Sequence, residues 1–109
     1  MAKASSKRAV KPSPDIMRKH ACEAAGLMKA LSNENRLIVL CALAEGELSV
    51  GQLHERVDLS QSALSQHLAV LRREKLVSTR REAQTIFYSL SSSTASKLIE
   101  FLYGTYCTP

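Results

Sequence analysis

Five segments of the chain have apolar residues at the spacing that is typical of α-helices. Polar residues that can cap a helix N-terminus precede four of these segments: Ser13, Asn33, Ser49 and Ser60. The predicted helices cover residues 14–31, 34–46, 50–57, 61–74 and 94–106. Residues 37–44 of the second helix are apolar almost all round, so we expect this helix at the centre of the fold.

The third and fourth predicted helices are separated by only a short connection, which favours a helix-turn-helix. Ser49 and Gln52 have the spacing of a capping box at the start of the third helix. After residue 76 the chain becomes rich in β-branched and aromatic residues, which predict strands over 77–81 and 85–90 joined by residues 82–84. A hairpin at this place is a wing. The pattern therefore predicts a mainly α domain with a β-hairpin wing, which is a winged helix-turn-helix of the α+β class.

The composition is that of a globular protein with one domain: 109 residues, of which 45% are hydrophobic and 23% charged. We expect residues 13–109 to form this domain and residues 1–12, rich in Ala, Ser, Lys and Pro, to be a disordered tail. No apolar run reaches the roughly 18 residues that span a bilayer, and the N-terminal region lacks the apolar stretch of a secretory signal. We therefore expect a cytoplasmic protein that does not bind membranes.

Positive charge is concentrated in two parts of the chain. Residues 1–12 carry four basic and no acidic side chains, and residues 60–81 carry five basic and one acidic. The remaining segments, 13–59 and 82–109, are slightly acidic. This distribution indicates a polyanionic partner such as nucleic acid, although on charge alone an ordinary solvated surface would explain it equally well.

The fourth predicted helix has two distinct faces when it is plotted at about 100° per residue. Leu64, Leu68 and Leu71 fall on the side expected to pack against the domain. The residues expected to contact DNA lie on the opposite side or flank it: Gln61, Ser62, Ser65, Gln66, Arg72 and Arg73. Ala69, on the same side, permits close approach to the DNA. The serines and glutamines can donate and accept hydrogen bonds at base edges. The two arginines are expected at phosphates, as are Arg80 and Arg81 on the wing. A merely solvated Ser- and Gln-rich surface is the alternative.

The first and last predicted helices carry more apolar surface than a domain of this size needs. On the last helix the apolar side consists of Leu98, Ile99, Phe101, Leu102 and Tyr106. We therefore expect both terminal helices to pair with their copies in a second subunit, which gives a homodimer.

Residues 47–90, ELSVGQLHERVDLSQSALSQHLAVLRREKLVSTRREAQTIFYSL, resemble the winged helix-turn-helix of the ArsR (SmtB) family of bacterial repressors. The resemblance extends to the preceding LSNENRLIVL, and SQSALSQHLAVLR is a specific signal within it. It implies a homodimer that binds an imperfect inverted repeat in double-stranded promoter DNA, and an inducer that lowers the affinity for DNA.

The chain departs from the metal-sensing members of that family. Where they often have Cys-Val-Cys, this chain has Ser49, Val50 and Gly51, and its last predicted helix offers no Asp or His. The comparison therefore argues against sensing of arsenic, cadmium or zinc, and few thiols or imidazoles remain for a closed zinc site. We expect no bound metal and no cofactor, and keep a metal-responsive repressor as a less favoured alternative.

The chain has three cysteines, Cys22, Cys41 and Cys107. In a reducing cytosol they are not expected to form a permanent disulfide, and taken alone Cys41 would be a small core residue of an apolar helix. Cys41 and Cys107 match the two cysteines of the BigR, SqrR and HlyU-like branch of the family, which EAQTIFYSL and YGTYC also resemble. This resemblance implies that the two thiols sense low-molecular-weight persulfides, join through a di- or polysulfide bridge and release operator DNA. Cys22 has no counterpart and no assigned role.

Two other functions stay open. The HlyU-like members imply one with the same fold, in which the protein counters a gene-silencing protein and so derepresses its targets. The other is a small thiol oxidoreductase or sulfur carrier, but the chain has no Cys-x-x-Cys pair and no evident set of nucleophile, base and orienting group. We therefore expect a transcriptional repressor rather than an enzyme.

Overall fold

The computed structural model describes residues 11–91 and 93–107, over which it contains five helices and three strands. The helices are α1 (Pro14–Leu31), α2 (Glu34–Ala44), α3 (Val50–Arg56), α4 (Gln61–Arg73) and α5 (Ser93–Tyr106), and the strands are β1 (Leu48–Ser49), β2 (Val77–Glu82) and β3 (Thr85–Leu90). The predicted winged helix-turn-helix is confirmed, and every predicted helix and strand is present with its ends shifted by two residues or fewer. The predicted tail falls mostly on residues 1–10, outside the described residues.

Polar side chains cap four of the helices, as their positions predict. Ser13 and Asn33 each accept a hydrogen bond from the backbone N–H three residues further on, at the starts of α1 and α2. Ser49 and Gln52 form both hydrogen bonds of the capping box, of 3.2 Å and 2.9 Å. Ser60 caps α4 in the same way as Ser13 caps α1. These caps fix where α1 to α4 begin, and the caps at Ser49 and Ser60 fix the starts of the two helices of the helix-turn-helix.

Helix α2 lies at the centre of the fold, as its apolar sequence predicts. It packs against α1, α3, α4, α5 and β3, and Val39, Leu40 and Leu43 are buried in these contacts. The other buried residues of the core come from the remaining helices, from β1 and β2, and from the junctions between them: Ala30, Leu31, Leu48, Leu53, Val57, Leu64, Leu68, Leu71, Leu76, Val77, Ala95 and Ile99. A displacement of α5 relative to α2 would therefore disturb the centre of the molecule.

The three strands form one antiparallel sheet in the order β1-β3-β2. Strand β1 is not predicted by the sequence because two residues are too short to show an alternating pattern. It places Leu48 opposite Tyr88 on β3 and so ties the wing to the start of the helix-turn-helix. The hairpin connection is one residue shorter than predicted, since Glu82 pairs with Thr85 at the end of the ladder.

A tight turn leads from α4 directly into the wing. Lys75 adopts a left-handed backbone conformation with φ of 63°, and the N–H of Leu76 donates to the carbonyl of Leu71 at 2.9 Å. This is the Schellman arrangement, in which the residue after the helix reverses the chain and the next apolar residue packs back on the last turn. The turn fixes the wing beside the C-terminal end of α4.

Among the residues that the structure describes, none belongs to a helix that is both long and apolar enough to span a membrane.

Candidate DNA interface and thiol pair

The helix-turn-helix is held to the domain by apolar side chains on both of its helices. Leu53 on α3 and Val57 in the following turn are buried. On α4 the predicted inner face is confirmed, because Leu64, Leu68 and Leu71 are buried against the core. These contacts set the rotation of α4 about its axis, and with it the face that α4 presents to solvent.

The outer face of α4 is polar and free to bind. Gln61, Ser62, Ser65, Gln66 and Ala69 are all exposed, and within the described part of the chain none of the four polar side chains makes a hydrogen bond to another residue. Arg72 and Arg73 are exposed at the C-terminal end of the helix. His67 is half-buried at the edge of the apolar face. The residues predicted to contact bases and phosphates thus lie together on one exposed surface.

Arg73 lines a small cleft that sequence reasoning does not detect. The cleft has a volume of about 320 Å³, and Lys29 on α1 and Arg36 on α2 lie on its walls together with Glu74. The Arg36 Nε also donates a hydrogen bond of 2.6 Å to the carbonyl of Ala30 and so caps the end of α1. Lys29, Arg36 and Arg73 therefore lie close together at the C-terminal end of α4, with Glu74 among them. No local signal marks Lys29 or Arg36, because only the packing of three helices brings them next to Arg73.

The two arginines of the wing have different surroundings. Arg80 donates two hydrogen bonds, of 3.0 Å and 2.8 Å, to the carboxylate of Glu47, and its guanidinium group lies 4.6 Å from the centre of the Phe87 ring. The hydrogen bond from Arg80 lowers the pKa of Glu47. Arg81 is exposed and makes no ion pair with another described residue. Of the two wing arginines that are predicted to contact phosphates, Arg81 is therefore the one that is free to bind.

Two of the three thiols belong to a pair of helices that pack against each other, α2 and α5. Cys41 is half-buried on α2, while Cys107 is exposed just beyond the end of α5, and its N–H donates to the carbonyl of Tyr103 at 2.8 Å. Burial raises the pKa of Cys41, and the negative charge of a Cys107 thiolate raises it further. Salt screens such an electrostatic effect beyond about 8 Å at physiological ionic strength. Cys22 is exposed on α1, and all three cysteines are free thiols.

No group of three or more His, Cys, Asp or Glu side chains in the described ranges has a geometry that could hold a metal ion.

A polar, unpartnered helix face with a hairpin beside it is the arrangement by which helix-turn-helix proteins enter the major groove of DNA. The fold and this surface define a DNA-binding winged helix-turn-helix regulator of transcription.

Comparisons with known proteins agree with that class. Residues 33–79 match the family of bacterial regulatory proteins called the arsR family. The chain is 57% identical over 91 residues to the transcriptional activator HlyU of Vibrio cholerae serotype O1, a match that covers 84% of each chain. It is 50% identical over 93 residues to the biofilm growth-associated repressor of Agrobacterium fabrum, over 85% of this chain and 80% of that one. The solved structure of reduced HlyU from Vibrio cholerae N16961 superposes with a TM-score of 0.81 at 56% identity, over 84% of this chain and 97% of the other. This chain therefore belongs to the arsR family of bacterial regulatory proteins.

Proposed function

We propose that this protein is a homodimeric repressor that binds an inverted repeat in promoter DNA and releases it when persulfides oxidise Cys41 and Cys107. The observation that carries the proposal is the packing of α5 against α2, because Cys41 lies on α2 and Cys107 directly follows α5. The effect of Cys107 on the pKa of Cys41 agrees with this placement. A bond between these two thiols would link the central helix to a terminal helix, so that oxidation would act on the position of the terminal helix.

The surface of the terminal helices supports a dimer. Large apolar side chains are exposed on α1 and α5, among them Met17, Met28, Phe101 and Tyr106, and the last two have 66% and 79% of their surface accessible. Only Ala30 and Leu31, at the end of α1, are buried in the domain. An exposed apolar surface of this kind marks an interaction site, and a second copy of the chain would cover it on both helices at once.

In this dimer each α4 reads one half of the operator. Gln61, Ser62, Ser65 and Gln66 face the base edges, and Arg72, Arg73 and Arg81 neutralise phosphates on either side of the groove. Arg80 supports the wing through its ion pair with Glu47. The two recognition helices must match half-sites about 34 Å apart, so a small change in the dimer contact costs DNA affinity.

The sulfur chemistry converts two thiols and one persulfide into a disulfide. One cysteine thiolate attacks the outer sulfur of a hydropersulfide R–S–SH, so that a new S–S bond forms, the S–S bond of the donor breaks and RS⁻ leaves. The second thiolate then attacks the cysteine sulfur of this protein persulfide and displaces HS⁻. The two cysteines lose two electrons and the transferred sulfur is reduced to sulfide. If a second donor first extends the protein persulfide by one sulfur, the attack on its inner added sulfur displaces HS⁻ and leaves a trisulfide bridge.

The bridge links α5 to α2 and thereby changes how α5 packs on the partner subunit. Because α5 and α1 form the proposed dimer contact, the distance between the two α4 helices changes with it. The bridged dimer then no longer fits both half-sites together.

The proposal is tested by combining mass spectrometry with DNA binding. Reduced protein is treated separately with glutathione persulfide and with glutathione disulfide, the Cys41 and Cys107 peptides are examined for a link, and binding to an operator-containing promoter fragment is measured by fluorescence anisotropy. We expect a link after persulfide treatment, and an affinity for the fragment that falls by about tenfold or more. C41S and C107S should bind the fragment but not respond, whereas C22S should respond like the wild-type protein. Bridged protein that binds DNA as tightly as reduced protein would refute the proposal.

A second candidate is favoured by the name of one relative, which is a transcriptional activator. With the same fold and interface, the protein would displace a silencing protein from DNA and so raise transcription. A promoter reporter in strains with and without the silencer separates the two functions. A repressor still lowers expression when the silencer is deleted, whereas an antagonist has no effect there.

A further inference from the structure

A cleft of about 340 Å³ opens beside Cys41, between the end of α2 and the second half of α5. Its volume lies at the lower end of the range of about 300 to 1,000 Å³ that is typical of small-molecule sites. Ala44, Ile99 and Gly104 give it apolar or bare walls, and Cys107 does not line it. The cleft therefore gives a reagent access to Cys41, whereas Cys107 is exposed to solvent directly.

The charged side chains on the walls of the cleft are both acidic. Glu45 and Glu100 line it, and no Lys, Arg or His does. Glu45 is partly neutralised by Arg56, at 3.0 Å from its carboxylate. Glu100 forms no ion pair with any residue that the structure describes. A molecule bound in the cleft therefore experiences a negative potential that comes mainly from Glu100.

We propose that this cleft is the docking site of the sulfur donor, and that Glu100, supported by Glu45, selects small neutral or cationic persulfides over anionic ones. The inference rests on the proposed function and names the class of reagent that serves it. The group R of the donor R–S–SH occupies the cleft while the Cys41 thiolate attacks the outer sulfur. The donor's S–S bond then breaks and RS⁻ leaves through the same opening. A carboxylate on R is repelled by Glu100 both on entry and during the attack, whereas an ammonium group is attracted.

The test isolates Cys41 and varies only the charge of the donor. In C22S/C107S, Cys41 is the single thiol of the chain. The protein is treated with 2-aminoethyl hydropersulfide or with 2-carboxyethyl hydropersulfide, which are similar in size and opposite in charge. The rate at which Cys41 gains a sulfur is followed by mass spectrometry after alkylation. Each rate is divided by the rate measured on the same chain unfolded in urea, which removes the intrinsic difference between the two reagents.

We expect the aminoethyl donor to react about fivefold faster than the carboxyethyl donor at low ionic strength, after this normalisation. Substitution of Glu100→Gln should bring the ratio close to one, and high salt should have the same effect in the unsubstituted background. Glu82→Gln on the wing removes the same charge outside the cleft and should leave the ratio unchanged.

A ratio that does not respond to Glu100→Gln overturns the charge selection. If neither donor modifies Cys41 in the folded chain, the cleft is not a docking site. Formation of the Cys41–Cys107 bridge in the wild-type chain is measured in parallel. If the bridge forms and the ratio is one, this inference falls and the proposed function stands. If the bridge does not form with any persulfide, the proposed function itself falls.

Discussion

Burial and charge act on the Cys41 thiol in the same direction. Both favour the protonated form, so the pKa of Cys41 is raised above its ordinary value, first by desolvation and then by Cys107. Since the thiolate is the nucleophile, Cys41 is less reactive at neutral pH than a free thiol. A smaller fraction of Cys41 than of a free cysteine is therefore in the thiolate form at neutral pH.

The contribution of Cys107 can be measured through the pH dependence of alkylation. In C22S/C107S the charge of Cys107 is absent, so we expect the alkylation midpoint of Cys41 to move to lower pH than in C22S, while staying above the pKa of a free cysteine because the burial remains. Iodoacetamide labelling between pH 7 and 11, followed by mass spectrometry of the Cys41 peptide, gives both midpoints. C22S compared with the wild-type chain is the control, and identical midpoints in C22S and C22S/C107S would show that the two thiols are too far apart to interact.

At the scale of elements, the wing is fixed by contacts that cross the whole sheet. Glu47 lies just before β1 and Arg80 lies on β2, and these strands are on opposite sides of β3. The Arg80 side chain passes over Phe87, its register partner on β3, and reaches the Glu47 carboxylate. The ion pair therefore joins the wing to the start of the helix-turn-helix, so that the wing and α4 keep one relative orientation.

The Glu47–Arg80 pair predicts a specific pH dependence of stability. The pKa of Glu47 is lowered in the folded state by the hydrogen bond from Arg80. The stabilisation is therefore fully present above the ordinary glutamate pKa of about 4.3 and is lost as the pH falls through the lower folded pKa. We expect E47Q to lower the Tm by about 2 °C at pH 7, a small effect because both groups are solvent-exposed.

Below pH 4 the difference in Tm between the wild-type protein and E47Q should shrink, and calorimetry over pH 3 to 7 would show this. Glu55→Gln on α3 is the matched control, because Glu55 is exposed and makes no ion pair in the described part of the chain. A Tm difference that stays constant across the range would mean that the pair does not stabilise the folded state.

Local sequence patterns were sufficient to predict the five helices, the two strands of the wing and the buried face of α4, but not β1 or the contacts between distant segments. Caps such as Ser60 and the spacing of Leu64, Leu68 and Leu71 depend on neighbours within one helix, so they can be predicted from sequence. The partner of Arg80 lies 33 residues away and depends on β1, which is too short to leave a pattern. The grouping of Lys29 and Arg36 with Arg73, and the acidic cleft beside Cys41, likewise exist only after helices from separate parts of the chain have packed.

At the scale of the whole molecule, the main feature is that only the end of α1 is buried in the domain. The exposed apolar residues on α1 and α5 leave both terminal helices partly uncovered in a single chain. In the proposed dimer a charge placed on this surface would have to be buried without a partner, which is costly. The terminal helices are therefore where a single substitution should separate dimer formation from the folding of the winged domain.

We expect F101E to be monomeric at micromolar concentration, because the carboxylate cannot be buried in the dimer contact. Its affinity for the operator should fall by about a hundredfold, since the second half-site no longer adds to the first. Sedimentation equilibrium and anisotropy on the same samples measure both effects. T94E adds the same charge at the exposed start of α5, where a negative side chain interacts favourably with the helix dipole. This control variant should remain dimeric. A dimeric F101E would place the subunit contact elsewhere.

Because only the end of α1 is buried in its own domain, we expect the degree of repression to depend on the concentration of the protein. Most of the stability of a helix in a protein comes from the packing of its apolar face, and only Ala30 and Leu31 of α1 are buried in the domain. A chain without its partner is therefore expected to lose much of α1, and folding of that helix becomes part of assembly. Where most chains are monomers, the amount of operator-competent dimer follows the square of the total concentration, so a twofold rise in synthesis gives about four times as much dimer. Expression level would then tune the promoter more steeply than a preassembled dimer could.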